Sequence, residues 1–154
     1  MLRYSLHPFL IRYMTKIEEI IEAFQEADYQ ETLAMLLDYS ESLPKLPEKY
    51  IEQRNSGFNR VPECETPVFV WIEISDGLVH IDADVPEESP TVRGFVSLLV
   101  DSFNGATPEE VESAPLNLVH NLGLDQKLGT RRMFGLSAVY NRIKSGVKAA
   151  SGIQ

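Results

Sequence analysis

The stretch that decides the fold is Pro67-Val68-Phe69-Val70-Trp71-Ile72-Glu73-Ile74-Ser75-Asp76-Gly77-Leu78-Val79-His80-Ile81-Asp82-Ala83-Asp84. Val68 to Ile74 is an apolar run of strand length, rich in β-branched and aromatic residues. Asp76-Gly77 is a strong hairpin signal, and apolar residues alternate with polar ones from Leu78 to Ala83. The stretch therefore predicts two antiparallel strands, of which the second has one buried face and one wet face. A short third strand is considered near Phe58 to Val61.

Helices are predicted on both sides of this hairpin, and most of their starts carry a capping residue. The capping residues are Thr15, Asp28, Ser89 and Thr107. The predicted helices run over about 16–26, from Asp28 to about Leu43, over about 90–103, over a short stretch from Pro108, over 116–122 and over 130–148. Two helices, an antiparallel sheet and further helices predict an α+β fold in one domain, and the helix that begins at Pro90 is expected to be the most buried.

Size and charge limit the classes of function. The chain has 154 residues and a net charge of −9, so phosphate backbones should repel it and a basic patch on a protein is a better partner. No apolar run reaches the ~20 residues that a membrane-spanning helix needs. One cysteine provides no disulfide framework, which suits a reducing compartment. We expect a cytoplasmic protein that binds neither nucleic acid nor membrane.

The first residues differ in pattern from the rest of the chain. Residues 1–13 carry Arg3 and Arg12 but neither the apolar core nor the cleavage site of a signal peptide. Thr15 and Glu18 have the spacing of a capping box, which marks the first good helix. We expect residues 1–13 to be a disordered N-terminal extension and residues 14–150 to form the domain.

Cys64 is the only cysteine, and it lies in Asn59-Arg60-Val61-Pro62-Glu63-Cys64-Glu65-Thr66-Pro67 just before the first strand. A lone cysteine most often packs as a small buried hydrophobe. The flanking Glu63 and Glu65 weigh against that interpretation and favour a loop that presents a sulfur nucleophile. These carboxylates disfavour the thiolate, whereas Arg60 favours it. A single thiol excludes an internal disulfide and a multi-thiolate metal site.

Other titratable residues offer alternatives. A cysteine–histidine dyad would pair Cys64 with His80 or His120. His80 is expected on the wet face of its strand and His120 in a half-buried packing position, and neither has a local catalytic signature. Scattered histidines and one cysteine do not predict a metal site.

Charged clusters follow the hairpin and open the last helix. The acidic cluster consists of Asp82, Asp84, Glu87 and Glu88, which either form a solvated loop beside a helix N-terminus or contact a basic partner. Arg131 and Arg132 stand where the helix dipole disfavours cations. They are expected either to pair with the acidic cluster or to support the sulfur site electrostatically.

Four segments, in consistent order over about residues 15–148, resemble the SufE family of sulfur-acceptor proteins. The segments are Val61-Pro62-Glu63-Cys64-Glu65-Thr66-Pro67-Val68-Phe69, Leu43-Pro44-Lys45-Leu46-Pro47, Pro90-Thr91-Val92-Arg93-Gly94-Phe95 and Arg132-Met133-Phe134-Gly135-Leu136-Ser137-Ala138. Many members have Gly and Gln on the two sides of the cysteine, where this chain has Glu63 and Glu65. The departure concerns the thiol environment and partner preference.

The resemblance implies a SufE/IscU-like fold and a defined chemistry. Cys64 would accept the outer sulfur of a persulfide from a pyridoxal-phosphate-dependent cysteine desulfurase of the SufS-like kind. It would pass that sulfur towards an iron–sulfur assembly scaffold, as an accessory protein that binds no cofactor and is not a stand-alone enzyme. Arg60, Arg93 and Arg132 are the candidate supporting residues.

Two alternatives remain at this point. One is a hydrolase with Cys64 as nucleophile, and the other is a binding module that does not use its thiol. The sulfur-transfer interpretation adds an expectation about motion. We expect Cys64 to be shielded at rest and delivered by movement of the loop from Ser56 to Pro67, with Gly57 as a candidate hinge.

Overall fold

The central hairpin forms as predicted. In the structure, a computed structural model that describes residues 4–7 and 10–152 (with side chains from residue 13), strand β3 is Phe69–Ser75 and strand β4 is Leu78–Asp84. They pair antiparallel, with Ser75 opposite Leu78. Asp76 and Gly77 between them have φ of 53° and 76°, which is the backbone that a two-residue type I′ turn requires.

The helices pack around this hairpin in one α+β domain, which confirms the predicted fold class. Their bounds are α1 Lys16–Glu26, α2 Tyr29–Ser42, α3 Ile51–Asn55, α4 Pro90–Phe103, α5 Pro108–Ser113, α6 Leu118–Asn121 and α7 Thr130–Ser151, with 3-10 turns at Glu48–Tyr50 and Leu124–Gln126. Ten of the fourteen residues of α4 are buried, in agreement with its apolar sequence. No helix among the described residues is long and apolar enough to cross a membrane.

Capping explains where most of these helices begin. Thr15 and Thr107 accept hydrogen bonds from backbone N–H groups three residues later, and Asp28 forms a full capping box with Glu31. Ser89 makes no side-chain cap bond, so the predicted cap there is wrong, and Pro90 alone sets the first turn. α6 is shorter than the predicted helix over 116–122, since it begins at Leu118 and ends at Asn121.

Both faces of the first half of β3 are covered, which the sequence pattern did not predict. Val68 and Val70 join the main core, whereas Phe69 and Trp71 pack on the other face against Leu46 and Tyr50. The segment between α2 and α3 supplies this second cover.

The third strand is reduced to a single antiparallel bridge between Arg60 and Phe69. The Val61 N–H donates to Val68 O over 2.8 Å, and the Val70 N–H donates to Asn59 O over 3.1 Å. Asn59 has a φ of 67°, which is left-handed, so the extended backbone does not continue from Asn59 back towards Phe58 and no longer strand forms.

The N-terminal residues contribute a separate pair of short strands. β1, Tyr4–His7, pairs antiparallel with β2, Leu10–Tyr13. Residues 1–3, 8 and 9 lie outside the described part of the chain. The expectation of a disordered extension over residues 1–13 stays a prediction.

Candidate functional site

Cys64 lies in a loop, as expected, but its side chain points into the protein and is only 4% exposed. Val61 and Val68 on either side are fully buried, while Glu63 and Glu65 remain exposed. The loop thus alternates between inward apolar and outward charged side chains. The interpretation that acidic neighbours keep this residue out of the core is wrong for the thiol, whereas the burial agrees with the expected shelter.

Hydrogen bonds hold the loop against the sheet edge. Besides the two backbone bonds from 59–61 to Val70 of β3 and to Val68 just before it, the Asn59 side-chain amide donates to Val70 O over 3.1 Å. The Cys64 N–H donates to Val61 O at 3.3 Å, and Arg60 Nη2 donates to Glu65 O at 3.4 Å. Residues 59–61 are therefore anchored to the strand, whereas residues 62–67 make no hydrogen bond to the sheet.

A recess of about 370 Å³ opens beside the sulfur. The Cys64 loop forms one wall with Thr66, the start of α4 adds Val92, and α7 contributes Arg131, Arg132 and Gly135. We call this space the thiol recess. Two distant parts of the chain, the loop before β3 and the start of α7, meet there.

The resting thiol is electrostatically restrained. Burial raises the pKa of Cys64 and is the largest influence on it. The backbone N–H of Thr66 and the positive charge of Arg60 lower the pKa of Cys64, while Glu65 adds to its rise. Arg60 and Glu65 thus act with the predicted signs. The thiolate, which is the nucleophilic form, is disfavoured in this state.

The two arginines at the start of α7 have different surroundings. Arg131 Nη1 lies 3.4 Å from Glu65 Oε1, in a pair with 82% and 71% of the two side chains exposed, so water screens it strongly. Arg132 lines the thiol recess and has no ion pair or hydrogen bond to any residue from 13 to 152. Of the two expected roles, pairing with the acidic cluster does not occur among the described contacts. Arg132 is therefore a positive charge on the wall of the thiol recess that no described residue neutralises.

Arg93, unlike Arg132, is hydrogen-bonded to backbone carbonyls of the fold. Its Nε donates to Ser40 O over 2.8 Å, and its Nη1 donates to Val85 O. These bonds join the end of α2 and the segment after β4 to the first turn of α4. Arg93 does not line the thiol recess.

Three members of the acidic cluster, Asp84, Glu87 and Glu88, border a different groove, of about 630 Å³, which we call the Glu87 groove. Asp84 pairs with Arg54 at 3.1 Å, and Asp82 lies 3.2 Å from His80 Nε2. Glu87 and Glu88 are exposed and have no ion pair within the described residues. The cluster therefore splits into two internally engaged and two outward carboxylates.

Neither of the two histidines considered as partners for Cys64 lies beside the thiol. His80 is exposed on β4, as expected. His120 is exposed rather than half-buried, with its Nδ1 2.6 Å from Asp125 Oδ2, because the short helix α6 directs it outward. Neither lines the thiol recess, so the described residues assemble no cysteine–histidine dyad with either of them.

Sequence reasoning missed two residues on α7. Gly135 faces Cys64 directly, and Phe134 beside it is 65% exposed. A glycine inside a helix is a signal for close packing, since it costs about 1 kcal/mol relative to alanine. An exposed phenylalanine next to a recess would have suggested a contact surface, but the sequence alone does not reveal its exposure.

Comparison with known proteins assigns a chain with this fold and this buried loop cysteine to one protein family. The SufE family model, described as an Fe-S metabolism associated domain, matches residues 18–147. The chain belongs to the SufE family. It is 32% identical over 135 residues to an uncharacterised SufE-like protein of Mycobacterium tuberculosis, covering 87% of this chain and 92% of that protein.

Two further relatives extend the comparison to structure and to a described role. The solution structure of a hypothetical protein from Thermus thermophilus superimposes with a TM-score of 0.77 and 30% identity, covering 90% of this chain and 99% of that one. The sulfur acceptor protein CsdE of Escherichia coli is 27% identical over 122 residues, covering 78% of this chain and 79% of CsdE.

Proposed function

We propose that this protein accepts sulfur on Cys64 from the persulfide of a cysteine desulfurase and carries it towards iron–sulfur cluster assembly. The observation that carries the proposal is the single cysteine, buried in a loop beside an arginine-lined recess, in a chain of the SufE family. The relationship to CsdE, whose name describes a sulfur acceptor, supports it.

The chemistry is a thiol exchange that needs no cofactor on the acceptor. The Cys64 thiol first loses its proton, and the thiolate attacks the outer sulfur of the donor persulfide. The sulfur–sulfur bond of the donor breaks and its thiolate leaves, while a new sulfur–sulfur bond forms on Cys64. One sulfur atom moves between two cysteines, so the step requires no external oxidant or reductant.

Burial and a raised pKa mean that this step requires a rearrangement. Because residues 59–61 are bonded to β3, a movement that keeps those bonds is confined to residues 62–67. A hinge after Val61 therefore fits better than the hinge expected at Gly57, which would break the bridge. In the delivered position the thiol regains solvent, and the main cause of its raised pKa disappears.

Arg132 is suited to assist the delivered sulfur. It lies on the recess wall without a partner among residues 13 to 152, so its charge is available to a thiolate or a persulfide anion. Arg60 adds a second positive charge that lowers the pKa of Cys64. Arg93, the third candidate from the sequence, acts through the position of α4 rather than at the sulfur.

The partner surface combines charge and one apolar anchor. Glu87 and Glu88 are outward carboxylates for a basic patch on the desulfurase, whereas Asp84 is already paired with Arg54 and Asp82 lies against His80. Pro67, at the end of the Cys64 loop, also lines the Glu87 groove, so a partner bound there touches the moving segment. Phe134 offers the apolar contact near the thiol recess.

The decisive experiment follows labelled sulfur. The protein is incubated with a cysteine desulfurase and sulfur-labelled cysteine, and label on Cys64 is located by intact-protein and peptide mass spectrometry. We expect label on Cys64, removable by a reductant, and none on Cys64→Ser, because a hydroxyl cannot hold a persulfide. Transfer to a folded Cys64→Ser protein would eliminate the proposal.

The same experiment separates the alternatives. A cysteine-nucleophile hydrolase and a thiol-independent binding module both predict an unlabelled Cys64. A protein that begins at Met14 should accept label as the full chain does, since the domain is proposed to lie within residues 14–150.

A further inference from the structure

Three glycines lie inside helices at points of close contact, where alanine would otherwise be the better helix former. A Cβ placed on Gly94 would lie 2.0 Å from the backbone oxygen of Leu36, and one on Gly146 would lie 2.5 Å from Ile72 Cδ1. The first contact joins α2 to α4, and the second joins α7 to β3. Both serve the packing of the fold.

Gly135 meets a different neighbour. A Cβ there would lie 3.1 Å from Cys64 Sγ, 3.4 Å from its Cα and 3.6 Å from its Cβ. All three neighbouring atoms belong to Cys64, and the glycine itself is buried on the wall of the thiol recess. The helix backbone therefore forms the surface on which the resting cysteine lies.

We propose that Gly135 is a positioning residue whose missing side chain lets the Cys64 loop close against α7 and keeps space in the recess for a second sulfur atom. The inference deepens the proposed function, and it rests on that function for the purpose of the shelter. The closed loop protects the thiol, and after transfer the persulfide, from small thiols and oxidants. The recess volume of about 370 Å³ accommodates the added atom without displacement of the helix.

A methyl group at position 135 would act on the loop rather than on the fold. Residues 62–67 have no bond to the sheet, whereas Gly135 is within a regular helix, so the loop is the part that gives way. Displacement outward would hydrate the thiol. Since burial is the largest cause of its raised pKa, hydration should also lower that pKa.

The test compares Gly135→Ala with Gly146→Ala in the free protein. Gly146→Ala is the matched control, because it adds the same methyl group to the same helix but contacts Ile72 instead of Cys64. Alkylation of Cys64 is followed by intact-protein mass spectrometry over a pH series. We expect Gly135→Ala to react roughly tenfold faster with a lower apparent thiol pKa, and Gly146→Ala to react at the native rate. A Gly135→Ala rate equal to or below the native rate overturns the proposal.

A second readout addresses the persulfide without a desulfurase. Each variant is loaded chemically with a low-molecular-weight polysulfide and challenged with glutathione. Gly135→Ala should lose the added sulfur several times faster than Gly146→Ala; equal loss would overturn the sheltering role. Because no partner is present, these results stand or fall independently of whether a desulfurase donates to Cys64.

If Gly135→Ala does not fold, the double variant Gly135→Ala/Cys64→Ala is compared with Cys64→Ala alone. Removing the sulfur removes the closest contact, so Gly135→Ala/Cys64→Ala should fold and unfold in denaturant close to Cys64→Ala alone. A double variant that remains unfolded would place the clash elsewhere and overturn the proposal.

Discussion

The arginines of the thiol recess and those of the Glu87 groove differ in how firmly other residues hold them. In the groove, Arg54 pairs with Asp84, and Arg93 is engaged with the Ser40 and Val85 carbonyls. In the recess, Arg131 forms only an exposed pair, and Arg132 has no partner among residues 13 to 152. Internal hydrogen bonds make the first pair of arginines part of the scaffold. Of the second pair, Arg131 is held only by a screened contact, and Arg132 by none within the described residues, so neither is fixed as part of the scaffold.

The accessibility of the thiol is the largest expected difference between free and bound protein. Alkylation requires the thiolate, and burial raises the pKa of Cys64, so the free protein should react slowly at neutral pH and faster as pH rises. The midpoint should lie above that of an exposed cysteine.

In a complex with a desulfurase whose own reactive cysteine is mutated, the loop should present the thiol. We expect the rate at neutral pH to rise roughly 100-fold, since local opening no longer limits it. Alkylation is followed by mass spectrometry in both states. A free-state rate equal to that of an exposed model thiol would refute the sheltered resting state.

Substitution of one arginine from each region should separate activity from stability. Arg93→Ala leaves two carbonyls without their donor and should lower the free energy of unfolding by about 1 to 3 kcal/mol. Arg132→Ala removes no internal bond and should change that free energy by less than about 0.5 kcal/mol.

In sulfur transfer the order of the two effects should be reversed, with the larger effect from Arg132→Ala. Arg132→Ala should slow transfer to Cys64 roughly three- to tenfold by removing a stabilising charge, whereas Arg93→Ala should transfer normally below its unfolding temperature. Denaturant unfolding and single-turnover transfer measure the two effects. Equal behaviour of the two variants would contradict the contrast between the regions.

Charge reversal on the Glu87 groove should have the smallest effect. Glu87→Lys/Glu88→Lys should slow association with the desulfurase several-fold and weaken its dependence on salt, because electrostatic steering acts mainly on association. The control is Glu26→Lys/Glu41→Lys, which makes the same change in net charge at exposed positions near the ends of α1 and α2. Stopped-flow association at several salt concentrations distinguishes them. Equal slowing by both variants would reduce the docking proposal to an effect of net charge.

Local sequence determined much of this protein. The hairpin turn at Asp76-Gly77, the caps at Thr15, Asp28 and Thr107, and the apolar pattern of α4 all depend on neighbours in the chain, and each appears where predicted. The same holds for the loop position of Cys64, since prolines and charged residues surround it.

Only the tertiary structure decided the surroundings of that cysteine. The buried cysteine lies against Gly135 of α7, and the surroundings of Arg93 and Arg132 differ because Arg93 reaches two distant carbonyls and Arg132 lines the thiol recess. A sequence pattern records the preferences of adjacent residues. It does not record contacts between segments that meet only after folding. The burial of the sulfur and the position of Arg132 near it both result from such contacts.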